Sequence, residues 1–350
     1  MSSIFSWEST QQDLLQGFQN LFELIARGDS LSFVKVCFND PTFLIDSYTH
    51  ANAYAIAAEF ACFLAIFHVL MGEITRNYSQ VDKAWSILPP LYSWHFTLHD
   101  YLNRGAFNPR LLLATLLITI WGIRLTYNFA RKGGYEWSGR DYRFTYIHEK
   151  IGNIGMFLLN IVFIGPVQDN LFILMTAPLY AASLVEATHL TWLDGVTAIL
   201  FLGLLLIEVV ADDQQLMFQT KKFALLEFVH NDRNKLTGDY KRGFLCSSGL
   251  WKYSRHPNFF AEQAMWWAVY LFSIITRVQA GDATWSDPGL YLHWTGLGAF
   301  FLTLLFQGST WLTEYISTEK YPDYKLYQRS VNRFVPWFSK PMQNSEKKRD

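Results

Sequence analysis

Four stretches of this chain, residues 53–72, 111–130, 193–211 and 290–312, each run to about twenty residues with two charges at most. About twenty apolar helical residues are what the hydrocarbon core of a bilayer requires. A lipid-exposed segment must satisfy its backbone polar groups internally, so runs of this length predict spanning helices. Residues 261–276 form a shorter candidate rich in Trp and Tyr, and 85–96 another, interrupted by Pro89-Pro90. Residues 151–185 are mostly apolar and broken at Gly165-Pro166, which fits one crossing with an interfacial lead-in or two short ones. The expected fold class is therefore all-α: a polytopic integral membrane protein with about seven transmembrane helices.

Composition agrees with this and removes several alternatives. Charged residues make up 17% of the 350-residue chain, below the roughly 25% usual for soluble domains. Disorder is excluded by the apolar content, and a net charge of −1 argues against nucleic acid as a partner. Cys37, Cys62 and Cys246 are too far apart for a disulfide framework or a thiolate metal cluster. His95 and His99 form one HxxxH pair without matching clusters elsewhere, so no metal is expected. The mean hydropathy of +0.08 is low for a membrane protein. It is explained by the segments expected on the cytosolic side, which carry 23 of the 29 Lys and Arg residues, Arg76 and Lys83 included.

Those basic residues cluster at 131–150, 221–255 and 320–349, and the positive-inside rule places them in the cytosol. The acidic connections near Glu186–Asp194 and Asp282–Asp287, with residues 1–53, then become lumenal. The parity closes if 151–185 crosses once, giving seven crossings, a lumenal N-terminus and a cytosolic C-terminus. The Asn77-Tyr78-Ser79 sequon would face the cytosol and stay unglycosylated. Lys347-Lys348-Arg349-Asp350 matches a di-lysine retrieval signal, which points to a multi-pass protein of the endoplasmic reticulum membrane. The chain divides into an N-terminal lumenal segment (1–53), a membrane domain (54–338) and a cytosolic tail (339–350).

The densest group of unusual residues is 249–262, GLWKYSRHPNFFAE. Pro257 suits the first position of a helix, with His256 near its cap. Asn258, Glu262 and Trp266 recur at i, i+4 and i+8 and share one face. A helix start flanked by Lys252 and Arg255 suits an anion, though a capped, interfacially anchored helix with snorkelling basic residues reads equally well. Glu262 tips the balance toward function, because carboxylates are costly within membrane helices. Asp212, Gln215 and Gln219 share another helical face, and Arg124, Asn128 and Arg131 a third. Each alone suits a solvated helix end; three on one side of the membrane suit a shared binding site.

The stretch Gly249–Trp267, with Arg255-His256-Pro257-Asn258-Phe259 and Glu262, resembles the C-terminal signature of the steroid 5-alpha-reductase-like membrane enzymes, shared with the sterol C14 reductases. Ala211–Gln215 with Phe218 resembles the cofactor-contacting segment upstream, and Tyr321–Tyr324 with Tyr327 and Val335-Pro336 the closing motif. The nearest likeness is to the branch holding uncharacterised proteins, through Val81–Ile87, Trp121–Leu125, Gly134 and Asp141–Arg143. The resemblance covers roughly residues 54–338 and implies a seven-helix fold with NADPH in a cytosol-facing cavity. It assigns cofactor contacts to Asp212, Tyr253, Asn258, Glu262 and Trp266, with Arg131, Arg143, Arg255 and His256 as further contacts. Ala261 departs from the pattern, where a Gly normally precedes the Glu. The Gln-Glu pair of the true steroid reductases is not evident, which puts steroid specificity in doubt.

The expected chemistry is hydride addition to a polarised carbon–carbon double bond, enone or enoyl, in a lipid-soluble substrate. The protein must then supply a proton or hydrogen bond to the developing enolate. Candidates are Tyr92, Tyr127, Asp82 and Glu59, the last an acid that burial could keep protonated. Each has a plain structural reading as well: Tyr92 as an interfacial anchor, Asp82 as a helix cap. Two alternatives remain open, a membrane methyltransferase using S-adenosylmethionine, like the isoprenylcysteine carboxyl methyltransferases that share Arg-His-Pro, and a non-catalytic sterol- or lipid-binding protein.

Overall fold

The computed structural model describes residues 4–27, 39–186 and 189–338. The tail with its di-lysine sequence, and Cys37, lie outside the described residues. Among the described residues there are helices and no strands. The α-helices are α1 (Trp7–Ala26), α2 (Pro41–His50), α3 (Ala53–Thr75), α4 (Leu88–Arg104), α5 (Pro109–Ala130), α6 (Tyr142–Leu159) and α7 (Pro166–Ser183). They continue as α8 (Trp192–Phe228), α9 (Gly238–Arg242), α10 (Pro257–Gln279), α11 (Pro288–Tyr291), α12 (Leu297–Lys320) and α13 (Tyr324–Ser330).

Local chemistry places several helix starts. Asn52, Asn108 and Asp141 each accept hydrogen bonds from first-turn N–H groups, and Pro109 and Pro166 stand at first positions where no N–H is needed. Among the described residues, five segments are long and apolar enough to cross a membrane: α3, α5, the run Tyr142–Ser183, α8 and Pro288–Lys320. The crossings expected at 85–96 and 261–276 are helices, α4 and α10, but are not among these five. The reasons differ: α4 is short, at 17 residues, whereas α10 is long enough but carries Asn258, Glu262, Gln263 and Arg277.

By internal contacts the chain forms two compact units, Met1–Ile199 with Trp266–Leu302, and Leu200–Met265 with Thr303–Asp350. The first is organised on α7, which is buried along nearly its whole length and packs against α3, α4 and α5. An apolar helix without a polar face belongs inside a bundle. Residues 160–183 run along α3 in the opposite direction, from Asn160 Nδ2 on the Val69 carbonyl at 3.0 Å to Tyr180 against Tyr54, centroids 5.0 Å apart. Before them, α6 is largely exposed and breaks at Gly152, whose φ of 68° no helix accommodates. The stretch 151–185 is thus one traverse with a lead-in.

Residues 1–53, read as a segment of unassigned role, contribute α1, which docks on α3. Phe5 is buried and its carbonyl accepts from His293 Nε2 and Trp294 Nε1, at 2.7 and 2.9 Å. Asn52 Nδ2 donates to Asp13 at 2.9 Å. The His95–His99 pair closes the α2–α3 corner, its Nε2 atoms on the carbonyls of Ala53 and Ala51. Asn77 of the sequon is buried, its amide donating to the carbonyls of Trp137 and Gly139.

The second unit gathers the lower turns of α8, the loop 238–256, the start of α10, the end of α12 and α13. Phe244, Cys246, Tyr324, Tyr327 and Val331 form its aromatic core. Burial raises the Tyr327 phenol well above its ordinary value, so it stays a donor, bonding the carbonyls of Trp251 and Ser254.

Close helix approach gives a direct test. A Cβ on Gly298 would lie 2.2 Å from the Leu174 carbonyl oxygen, whereas one on Gly195 would meet nothing within 4 Å. Gly298→Ala is expected to destabilise the protein by about 1–3 kcal/mol, and Gly195→Ala to stabilise it by up to about 1 kcal/mol. Thermal unfolding in detergent reads both.

Candidate functional site

The signature 249–262 is held from two directions in the second unit. Gly249 sits at φ 60° with Gln214 packed where a side chain would be, and Gln214 Oε1 accepts from the Leu250 N–H at 2.9 Å. Trp251 Nε1 donates to the Ala211 carbonyl at 3.1 Å. On the other side, residues 331–337 lie against 253–256: Arg255 N–H donates to the Asn332 carbonyl, His256 N–H to Arg333, and Trp337 N–H to Tyr253, at 2.9–3.0 Å.

Arg255 and His256 serve this scaffold. The Arg255 guanidinium is buried on Glu314, with Nε 2.6 Å from Oε1, and donates to the carbonyls of Gln328 and Val331. His256 Nε2 lies 3.1 Å from the same carboxylate oxygen. Burial holds the His256 imidazole below its ordinary value, opposed by Glu314. Of the two basic residues expected to greet an anion at the helix start, Lys252 and Arg255, the second is therefore spent on Glu314, a residue the sequence pattern did not single out. Lys252 and Tyr253 are exposed, Tyr253 at 38%, with the Lys252 ammonium 5.8 Å from the tyrosine ring.

Asn258 and Glu262 point to a different arrangement. Asn258 Nδ2 donates to Asp212 Oδ1 at 3.2 Å, joining the two helical faces that the spacing picked out. Asp212 and Glu262 are both buried, as is Glu208, one turn before Asp212 on α8. Asn258 Oδ1 and Gln215 Oε1 are closed off from solvent with no hydrogen-bond partner. Buried acceptors without donors are rare in folded proteins and call for an explanation. This seam is rich in acceptors, so it fits N–H and O–H donors such as a carboxamide and ribose hydroxyls. Further along the same helix, Lys222 is buried with Nζ donating to the Gly243 carbonyl at 3.2 Å, and the Lys221 ammonium lies 5.6 Å from the Tyr240 ring. Ala261 is fully buried, so the methyl that replaces the expected glycine is accommodated by packing.

Trp266, at 2% exposure, belongs to the first unit, edge-on to Trp121 with centroids 5.0 Å apart. There the early motifs meet. Ser86 Oγ accepts from Thr126 at 2.7 Å and lies 2.9 Å from Tyr135 OH, and the Asp141 N–H donates to Ser79 Oγ at 2.8 Å. Arg143 is paired with Asp141 at 2.7 Å, and Arg131 bonds Asn128 and covers the Tyr127 ring. Asp82 stands in the 3-10 turn Tyr78–Ala84 beside Asp141 and Arg143, its Oδ2 buried without a partner. Burial, then Asp141, push its carboxyl up to about 7, against the pull of Arg143.

The four proton-donor candidates separate. Tyr127 is 67% exposed on a shallow cleft of about 370 Å³, and Asp82 is in the loop cluster. Tyr92 is buried with its hydroxyl unpartnered, against Phe60 at 6.2 Å. Glu59, partly buried on α3, is covered by α1, where a Cβ on Gly17 would lie 3.1 Å from its Oε1. The sequence reading missed the ion pair His68–Asp169, 2.8 Å apart in the same bundle. Ionisable residues inside apolar runs were the available signal.

Asp82 yields a pH prediction. A carboxyl whose folded pKa is raised costs stability as it ionises, so the cost grows between pH 4 and 7. The melting temperature of Asp82→Asn relative to wild type is expected to rise across that window. A flat difference would show that the carboxyl titrates normally.

A helical membrane bundle with a buried polar seam is thus the class that fold and site define. The chain belongs to the DUF1295 family of proteins of unknown function, which it matches over residues 68–331. It is 34% identical over 312 residues to an uncharacterised protein of Schizosaccharomyces pombe, covering 87% of this chain and 86% of that one. No solved structure matches it.

Proposed function

We propose that the protein reduces a carbon–carbon double bond, enone or enoyl, in a lipid-soluble substrate with NADPH, in the endoplasmic reticulum membrane. The observation that carries this reading is the Asp212–Asn258 contact with Asn258 Oδ1 and Gln215 Oε1 left open beside it. Asn258, Asp212, Gln215 and Glu262 would accept from the carboxamide and hydroxyls of the cofactor, and the exposed Lys252 and Tyr253 would meet its phosphates and outer parts. When bound, NADPH supplies hydride. The protein's own task is to hold a proton donor ready for the developing enolate oxygen in a site without water. Of the candidate donors, Tyr92 and Asp82 each bury a side-chain oxygen that has no hydrogen-bond partner.

The same acceptor-rich seam would take the ammonium and ribose of S-adenosylmethionine, so titration must separate the two. Calorimetry on the purified protein is expected to show NADPH binding, lost or weakened at least tenfold in Asn258→Ala and Glu262→Gln. Binding of S-adenosylmethionine with no response to NADPH would replace the reductase by a methyltransferase. Binding of neither, with retained lipid binding, would leave a lipid carrier.

A further inference from the structure

The end of α12 carries a feature that the acceptor-rich seam does not use. Leu304, Gly308, Trp311 and Tyr315 recur at i, i+4, i+7 and i+11 and so share one face of this helix. All four are exposed, Trp311 at 61% and Tyr315 at 45%, and the two rings stack with centroids 5.9 Å apart. A Cβ on Gly308 would meet nothing within 4 Å, so the face is open between Leu304 and Trp311. The helix closes the segment Pro288–Lys320, which is long and apolar enough to cross a membrane. Trp and Tyr near the end of such a segment belong at headgroup depth, with the apolar turns before them among acyl chains.

Beside the aromatic pair is a cavity of about 420 Å³, whose walls include Trp311, Glu314, Tyr315, Lys325, Gln328 and Arg333. That volume suits a small-molecule site. Its floor is fixed by the buried Glu314, which accepts from Arg255 Nε at 2.6 Å and from Gln328 Nε2 at 3.2 Å. Arg333 Nε stands 3.5 Å from the same carboxylate, so one negative charge faces two guanidinium groups. Among the described residues the Arg333 side chain makes no hydrogen bond, and the Lys325 ammonium makes neither a hydrogen bond nor an ion pair. Glu319 at the rim adds one carboxylate. Three cations thus stand against two carboxylates, an excess of one positive charge. A guanidinium fork matches phosphate oxygens, and an ammonium beside it adds a point charge.

We propose that this cavity holds the headgroup of an acidic glycerophospholipid, with its phosphodiester on Arg333 and Lys325 and an acyl chain along the open face at Gly308. Two features select a lipid over a soluble phosphate. The mouth is walled by an exposed Trp–Tyr pair that continues into an apolar helical face, and the single excess charge equals the net charge of such a lipid. Acidic lipids also concentrate in the cytosolic leaflet, the side on which the positive-inside rule places basic residues 320–349. The bound headgroup braces the closing segment, because the Arg333 carbonyl accepts from the His256 N–H at 3.0 Å. The site shares no residue with the Asp212–Asn258 seam and does not rest on the reductase reading.

Photolabelling tests it. The full chain is reconstituted in phosphatidylcholine nanodiscs doped with phosphatidylglycerol that bears a diazirine in one acyl chain, and labelled peptides are mapped by mass spectrometry. Saturable labelling is expected on the peptide holding Leu304–Tyr315. Lys325→Gln is expected to weaken the apparent affinity about fivefold, the loss of about 1 kcal/mol for one cation at an acidic surface. Gly308→Leu, which fills the open face, is expected to abolish the saturable label while the melting temperature in detergent is maintained. Labelling undiminished in both variants, or mapping outside α12 and α13, would overturn the site. Equal labelling by the phosphatidylcholine analogue would overturn the acidic headgroup. Displacement of the label by inorganic phosphate would show a soluble anion as the occupant and overturn the lipid.

Discussion

Arg110 and Asp194 are almost wholly buried, with the guanidinium Nε 2.6 Å from one carboxylate oxygen and Nη2 2.9 Å from the other. Gln279 accepts from the same guanidinium, and Thr191 donates to the same carboxylate. The pair ties α5 and α8 to α10, three elements far apart in the chain. In surroundings with little water, a charge must find its counter-charge within the protein. His68–Asp169 joins α3 to α7 under the same constraint, and Arg255–Glu314 joins the start of α10 to α12. Apolar burial alone would let these helices slide or rotate; the pairs define register, and the bundle is arranged around them.

The same constraint separates scaffold from site within the signature. Arg255 and His256 are fully answered by Glu314 and by backbone carbonyls, so they hold the closing segment 328–337 against the helix start. Asn258 and Gln215 are only half answered, and their open acceptors lie in a seam of buried carboxylates. A satisfied polar network contributes rigidity, and an unsatisfied group held in place by it is available to a ligand. Neighbouring residues of one motif thus divide the work.

The N-terminal helix shows how a segment outside the family match still belongs to the bundle. The matched region begins at His68, yet α1 buries Phe5, pairs Asp13 with Asn52 and places Gly17 on Ala55 and Glu59. Only a residue without a side chain allows that approach, since a Cβ on Gly17 would lie 2.7 Å from that of Ala55. Its outer face keeps Trp7, Leu15, Phe22 and Ile25 exposed, suited to lipid.

Much of this was legible before any coordinates. Apolar runs of bilayer length predicted the spanning helices, because hydropathy and length are local properties of the chain. The i, i+4 spacing of Asn258 and Glu262, and of Asp212 with Gln215, placed those residues on single helical faces for the same reason. Tertiary structure alone decided that Asp212 meets Asn258, that Arg255 answers Glu314 rather than an anion, and that Tyr92 is buried while Tyr127 is exposed. Partners that lie 46 to 101 residues apart in sequence leave no periodic trace. Their meeting is set by how helices pack, and a single sequence records the faces of its helices but not which faces touch.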